Sequence, residues 1–293
     1  MLPRLETGIS VADYDLAATL SSGQAFRWIC RDGAWEGVIG SHWVRLAQTA
    51  DGIAAQTAEP VAGWTWLTDY LQTSVDLNAV LARFPTDEPM REAVNACRGL
   101  RLLRQDPWEC LASFILSSTK QIVQIQQIVR LLCSRFGDAL PSAGETAWTF
   151  PSAARLAECT EAELRACKMG FRAPNLLRTA QLVAENKIAL EALAEMPVEA
   201  ARAELIRLPG VGRKIADCVL LFGYGFQEAF PIDVWVMKAL RQLYFRKRNV
   251  KAKRLERFSA TYFGIYSGYA QQYLFHYIRT KAGRATQATQ HKT

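Results

Sequence analysis

The stretch "LIRLPGVGRKIADCVLLFGYG", residues 205–225, reads as a helix, a sharp turn and a second helix. Pro209 stops the first helix, and Gly210 and Gly212 admit backbone conformations closed to other residues. With no side chains in the way, successive N–H groups at the start of the next helix can point outward together. Such a turn suits an anion, a phosphate above all. A purely structural turn between helices fits the same residues. The nucleotide P-loop does not: it requires G-x-x-x-x-G-K-[ST], whereas these glycines are two apart and Ile215 follows the lysine.

Lys214 falls in the first turn of the second helix. The positive end of the helix dipole disfavours a cation there, and Arg213 adds a like charge. Both favour the neutral amine that a nucleophilic lysine needs. A phosphate contact or a solvated charge is the plainer reading. Nineteen residues on, Asp233 follows Pro231 and opens the helix "VWVMKALRQLY". Asp233 reads equally well as an N-cap and as a carboxylate that stabilises positive charge developing near the amine.

Outward from this hairpin, the chain of 293 residues is half hydrophobic and about a fifth charged, which describes a globular protein. Its net charge is +7, but the window from Lys238 to Arg257 alone carries +8. That window reads as a helix-plus-loop face that meets phosphates or simply solvent. The seven cysteines are scattered with no C-x-x-C pair, and only His42, His276 and His291 accompany them, so no metal site is expected. No secretory signal or membrane-length apolar run is evident, which points to a reducing intracellular compartment: cytoplasm or nucleoid in a prokaryote, nucleus in a eukaryote.

Residues 14–57 read as short strands: "AFRWICR", "AWEGVIG" and "HWVRLAQ" are punctuated by "DG" at 32–33, "GS" at 40–41 and "DG" at 51–52. From about Gly63 the period becomes helical, and "GWTWLTDYLQ" and "DEPMREAVNACRG" are expected to cover the sheet. Asp106 and Pro107 open one helix; Thr160 and Glu163 form a capping box that opens another. The expected fold is α+β. An N-terminal antiparallel sheet domain with covering helices, residues 1–98, precedes an all-helical domain, residues 99–282, whose helix-hairpin-helix spans about 198–244. Residues 283–293 read as a polar tail.

Four blocks in order, "LSSGQAFRW" at 20–28, "RLLRQDPWECLASFILSS" at 101–118, "LPGVGRKIADCV" at 208–219 and "FPIDV" at 230–234, resemble the 8-oxoguanine DNA glycosylases. These are a branch of the helix-hairpin-helix base-excision glycosylases, and the resemblance covers most of the chain. It implies base flipping and attack at the sugar. Lys214 matches the nucleophile that expels the damaged base and leaves a Schiff base, from which β-elimination nicks the strand. Asp233 matches the carboxylate that stabilises the sugar cation. Gly23 matches the residue whose carbonyl accepts the N7 proton that oxidation creates, since guanine itself has a bare acceptor at N7. Cys218 and Phe275 match the pair that sandwiches the flipped base, and Gln271 matches a reader of its Watson–Crick edge. Phe171 and Arg172 match an aromatic wedge and an arginine touching the orphaned partner base; Gly210, Val211 and Gly212 match the phosphate-binding turn. No cofactor is implied. The expected partner is double-stranded DNA containing oxidised guanine, with no membrane, and the expected form is a monomer.

Some positions depart from the family's pattern. Thr119-Lys120-Gln121 stands where eukaryotic members carry an asparagine run that fills the gap left by the base, Thr119 holding the DNA-contacting position. Gln124 replaces an arginine that reads the opposite cytosine, and Trp235 replaces a frequent phosphate-binding histidine. These changes point to relaxed opposite-base discrimination. Relatives with an iron–sulfur cluster need four closely spaced C-terminal cysteines, and the last cysteine here is Cys218. The alternatives are a helix-hairpin-helix glycosylase for another damaged base and a DNA-binding protein without catalysis.

Overall fold

The computed structural model describes residues 5–118, 120–246 and 248–290. Five strands, β1 (Leu5–Ser10), β2 (Ile29–Arg31), β3 (Ala34–Ile39), β4 (His42–Thr49) and β5 (Gly52–Thr57), form an antiparallel sheet in the order β1-β5-β4-β3-β2. Tight turns at 32–33, 40–41 and 50–51 connect β2 through β5, the first two at the anticipated "DG" and "GS" pairs and the third one residue ahead of the "DG" at 51–52, whose Gly52 opens β5. The strand at 5–10 was not anticipated, and residues 16–21 are a helix, α1 (Leu16–Ser21), rather than strand. Asp15 caps α1 by accepting from the Ala18 N–H at 2.8 Å.

The sheet's inner face carries Val44, Leu46, Ile53 and Ala55, which pack on Leu16 and Leu20 of α1 and on Leu67 and Leu71 of α2 (Thr65–Leu71). Trp28 lies against the backbone of Gly37, where an added Cβ would sit 2.6 Å from the indole. Of the two segments expected to cover the sheet, α2 does so. The other, α4 (Glu88–Cys97), turns Met90, Ala93 and Cys97 into the helical core, as does α3 (Leu77–Leu81) with Leu77 and Val80. Hydrophobic spacing states that a helix has a buried face but not which neighbour buries it.

The rest is helical: α5 (Pro107–Leu116), α6 (Ile122–Phe136), α7 (Ala153–Ala157), α8 (Glu161–Leu164), α9 (Ala173–Ala184), α10 (Val198–Ile206), α11 (Arg213–Val219), α12 (Val234–Leu243), α13 (Ala252–Tyr262) and α14 (Ser267–Gln290). A two-residue strand pair, Ala139–Leu140 with Ala147–Trp148, bridges α6 and α7. Caps anticipated from sequence are in place. The Asp106 carboxylate accepts from the Glu109 N–H at 2.8 Å, and Thr160 and Glu163 exchange bonds at 2.7 and 3.3 Å. Residues 283–290, read as tail, continue α14; residues 291–293 lie outside the described residues. No described helix is long and apolar enough to cross a membrane.

Candidate active site

The hairpin joins α10 to α11. Gly210 has φ +77°, and a Cβ there would meet Asn175 at 2.8 Å, so this glycine is required. Gly212 has φ −93° and open space where a Cβ would go, so its backbone shape is available to any residue and only its lack of bulk distinguishes it. Val211 is buried, and its N–H donates to the Leu208 carbonyl at 3.1 Å. That group is spent on the turn itself, contrary to its expected place among the outward N–H groups.

Behind the turn, Arg202 of α10 and Asp217 of α11 form a buried ion pair at 2.5 Å. Arg213 leans toward the same carboxylate, with Nε 3.8 Å from Asp217 Oδ2, and is therefore drawn toward Asp217. Burial pushes the Asp217 carboxyl up, against the pull of Arg202. The pair bolts the two hairpin helices together and orients the adjoining face of α11.

That face carries Lys214 and Cys218, four residues apart and so one above the other. Lys214 Nζ donates to Ser117 Oγ at 3.1 Å, just past the end of α5, and lies 5.2 Å from the centre of the Phe114 ring. Asp233 caps α12: its Oδ1 accepts from the N–H groups of Trp235 and Val236 at 2.9 and 2.8 Å. Both cap bonds use one oxygen, leaving Oδ2 outside the cap. Burial pushes the Cys218 thiol up to about 12, Lys214 opposes the shift, and Asp233 adds to it. The thiol is thus a neutral packing surface within electrical reach of both charged groups.

A cavity of about 380 Å³ opens where these elements meet. Lys214, Asp233, Cys218, Gly23, Gln271 and Phe275 all line it, so six anticipated residues from four separate segments converge there. Gly23 has φ +79°, and a Cβ would strike Ile122 at 2.6 Å. Its loop is pinned on both sides. Gln272 donates to the Ser22 carbonyl at 3.1 Å, while Gln24 donates to the carbonyls of Thr19 and Arg101 at 2.9 and 2.8 Å. Gln271 is 4 % exposed, and its Oε1 has no hydrogen-bond partner. A buried acceptor left unmatched costs about 1–3 kcal/mol, which a ligand donor would recover.

Other anticipated contacts lie elsewhere. Phe171 is 62 % exposed on the 3₁₀ turn Gly170–Arg172 that leads into α9, whereas Arg172 is buried with its guanidinium 4.2 Å from the Phe171 ring. Thr119 is outside the described residues, as is Lys247 of the basic window. In that window Arg241 donates to the Val250 carbonyl at 2.8 Å and Arg254 stacks on Phe245, while Arg246, Arg248, Lys251, Lys253 and Arg257 are exposed.

Sequence reasoning missed Ser117, Phe114 and Arg279 on the cavity wall, and took Trp235 only as a departure. Arg279 had a readable signal: it follows Gln271 and Phe275 at successive steps of four along one helix face. Ser117 had none, because its partner is 97 residues away.

Two family models cover most of the chain. The 8-oxoguanine DNA glycosylase N-terminal domain matches residues 7–111, and the HhH-GPD superfamily of base excision DNA repair proteins matches 112–263. A probable N-glycosylase/DNA lyase of Methanothermobacter thermautotrophicus is 30 % identical over 92 % of this chain and 95 % of its own. An N-glycosylase/DNA lyase of Arabidopsis thaliana is 33 % identical over 89 % of this chain and 76 % of its own. Among solved structures, an 8-oxoguanine glycosylase/lyase of Clostridium acetobutylicum, in complex with double-stranded DNA containing cytosine opposite 8-oxoguanine, superimposes with a TM-score of 0.89. It is 29 % identical, over 96 % of this chain and 98 % of that one. With the glycine hairpin, the lysine, the capping aspartate and the pinned Gly23 loop all meeting at one cavity, the chain belongs to the 8-oxoguanine DNA glycosylase family of the HhH-GPD base excision repair superfamily.

Proposed function

We propose that this protein is a bifunctional glycosylase/AP lyase that flips 8-oxoguanine out of duplex DNA and excises it through a Schiff base on Lys214. The observation that carries the reading is the meeting of Lys214 and Asp233 with Gly23, Cys218, Gln271 and Phe275 around one cavity. A phosphate-binding scaffold needs no such enclosure.

In this reading the flipped base stacks between Cys218 and Phe275. The Gly23 carbonyl accepts its N7 proton, a hydrogen bond guanine cannot offer. The Gln271 amide answers its Watson–Crick edge. The neutral Lys214 amine adds to C1′ as the N-glycosidic bond breaks, and the base departs with the bonding electrons and takes up a proton. Asp233 offsets the positive charge that develops on the sugar. Opening of the sugar leaves the amine joined to C1′ as a protonated Schiff base. Loss of a C2′ proton then breaks the C3′–O bond, and the strand 3′ to the lesion leaves with a 5′ phosphate. Ser117 holds the amine in place, and the hairpin with Gly210 and Gly212 and the wedge at Phe171 grip the duplex on either side. The exposed cations of the basic window add sequence-independent affinity.

The test is borohydride trapping on a duplex carrying 8-oxoguanine. The wild-type chain is expected to form a covalent adduct and Lys214→Gln none. Asp233→Asn, which keeps an N-cap, is expected to retain stability and lose most of the trapping rate. Equal trapping by Lys214→Gln would overturn the assignment. Relaxed opposite-base discrimination belongs to the same proposal, supported by the fate of Gln124, whose Oε1 accepts from the Gln121 N–H at 3.1 Å and so caps α6.

A further inference from the structure

We propose that Arg279 is a specificity-determining residue of this site, donating to one of the carbonyl oxygens that flank N7 of the oxidised base. The inference rests on the base-flipping reading above and adds to it a residue that neither the sequence motifs nor the hairpin identifies.

Three observations converge on Arg279. Gln271, Phe275 and Arg279 stand at successive steps of four on α14, and all three line the cavity. The guanidinium lies 5.1 Å from the centre of the Phe275 ring, and Nη1 is 3.5 Å from the point where a Cβ on Gly23 would sit. It therefore occupies the gap between the residue assigned to read N7–H and the ring assigned to stack on the base. Finally, the guanidinium forms no hydrogen bond and no ion pair within 4.0 Å with any described residue. Burial disfavours its charge, and only the longer-range field of Asp233 offsets this.

Five N–H donors that face a cavity and make no hydrogen bond to a described residue are matched by a ligand that brings acceptors. Oxidation at C8 provides that pattern. It puts a proton on N7 between two carbonyl oxygens, O6 and the new O8. A backbone acceptor at Gly23 beside a side-chain donor at Arg279 complements an N–H beside a C=O. Against an unoxidised purine the Gly23 half of the pair fails, since N7 then faces that carbonyl as a second acceptor, and the O8 acceptor is missing. The planar guanidinium suits this better than an ammonium, because it presents its donors in a fixed fork along one edge. Arg279 contributes no bond to the sugar, so its effect should scale with the base and not with the strand-cleaving step.

The experiment compares two substrates under single turnover: a duplex carrying 8-oxoguanine, scored by released base, and the same duplex with an abasic site, scored by strand cleavage. Arg279→Leu is expected to lower the ratio of base release to abasic-site cleavage by about ten- to a hundred-fold, the range for a hydrogen bond to a charged group. Arg279→Lys should recover only part of it. An unchanged ratio in Arg279→Leu overturns the inference, and so does full recovery in Arg279→Lys, which would reduce the residue to a charge. If the leucine variant does not fold, the lysine and glutamine variants are read by the same ratio. Lys214→Gln run alongside separates the two readings. If it still traps, the Schiff-base assignment fails while the released-base measurement on Arg279 stands.

Discussion

At the scale of single residues, the two hairpin glycines look alike in the sequence and differ in what they do. Gly210 sits at φ +77° against Asn175, a conformation that costs an L-residue about 1–2 kcal/mol before any clash. Gly212 is extended and faces open space. Gly210→Ala is therefore expected to lower unfolding free energy in urea by about 1–2 kcal/mol or more, and Gly212→Ala to leave it unchanged within error. If Gly212 matters, the loss should appear as weaker duplex binding, because a methyl group would stand between the backbone and an approaching phosphate. Equal destabilisation by both would contradict the backbone geometry. Lys214 itself was legible from its place after the glycines, whereas its partner Ser117 was not, since only the fold brings the two together.

At the scale of elements, the start of α6 shows a local bond taking up a side chain expected to face DNA. Its first turn faces the cavity, with Lys120 and Gln121 on the wall. Gln124 is bound to the Gln121 N–H, so the side chain at the position where an arginine would read an opposite cytosine is occupied in holding the helix end. Panels of 8-oxoguanine duplexes with each opposite base should accordingly give single-turnover rates that differ by less than about tenfold. An amide that discriminates by one neutral hydrogen bond commands about 1 kcal/mol. Cleavage almost confined to the cytosine pair would refute this. The elements themselves were largely readable. Asp106, Thr160 and Asp233 announce their helices because a cap satisfies N–H groups a few residues away. α1 and β1 escaped notice because they are only six residues each, too short for a period to declare itself.

Across the whole molecule, several tyrosine hydroxyls brace each half from buried or half-buried positions. Tyr14 donates to the Leu71 carbonyl at 3.0 Å, Tyr273 to Leu100 at 3.0 Å and Tyr224 to Leu190 at 2.8 Å, while Tyr70 accepts from Trp28 at 2.9 Å. Burial raises the pKa of each above the ordinary tyrosine value. In the unfolded chain these groups ionise near pH 10, so above that pH the unfolded state binds fewer protons than the folded state. Stability is fully present below about pH 10 and is lost as the pH rises through the higher folded values. Thermal melts from pH 8 to 11.5 should show Tm falling beyond about pH 10, with tyrosinate absorbance rising together with unfolding. Ionisation of these four tyrosines near pH 10 in a protein that stays folded would count against the packing described.

The sequence alone determined what is local. Turn residues placed the hairpins of the sheet, caps placed the helix starts, and Pro209 with Gly210 placed the turn between α10 and α11, since each signal acts within a few residues of itself. Only the tertiary structure decided which helices cover the sheet, that Asp217 draws Arg213 toward itself, that Arg172 is buried beneath Phe171, and that Arg279 reaches the cavity between Gly23 and Phe275. Those outcomes depend on side chains far apart in the chain meeting in space. Periodicity states that a face is buried or a charge is present, and only packing chooses the partner.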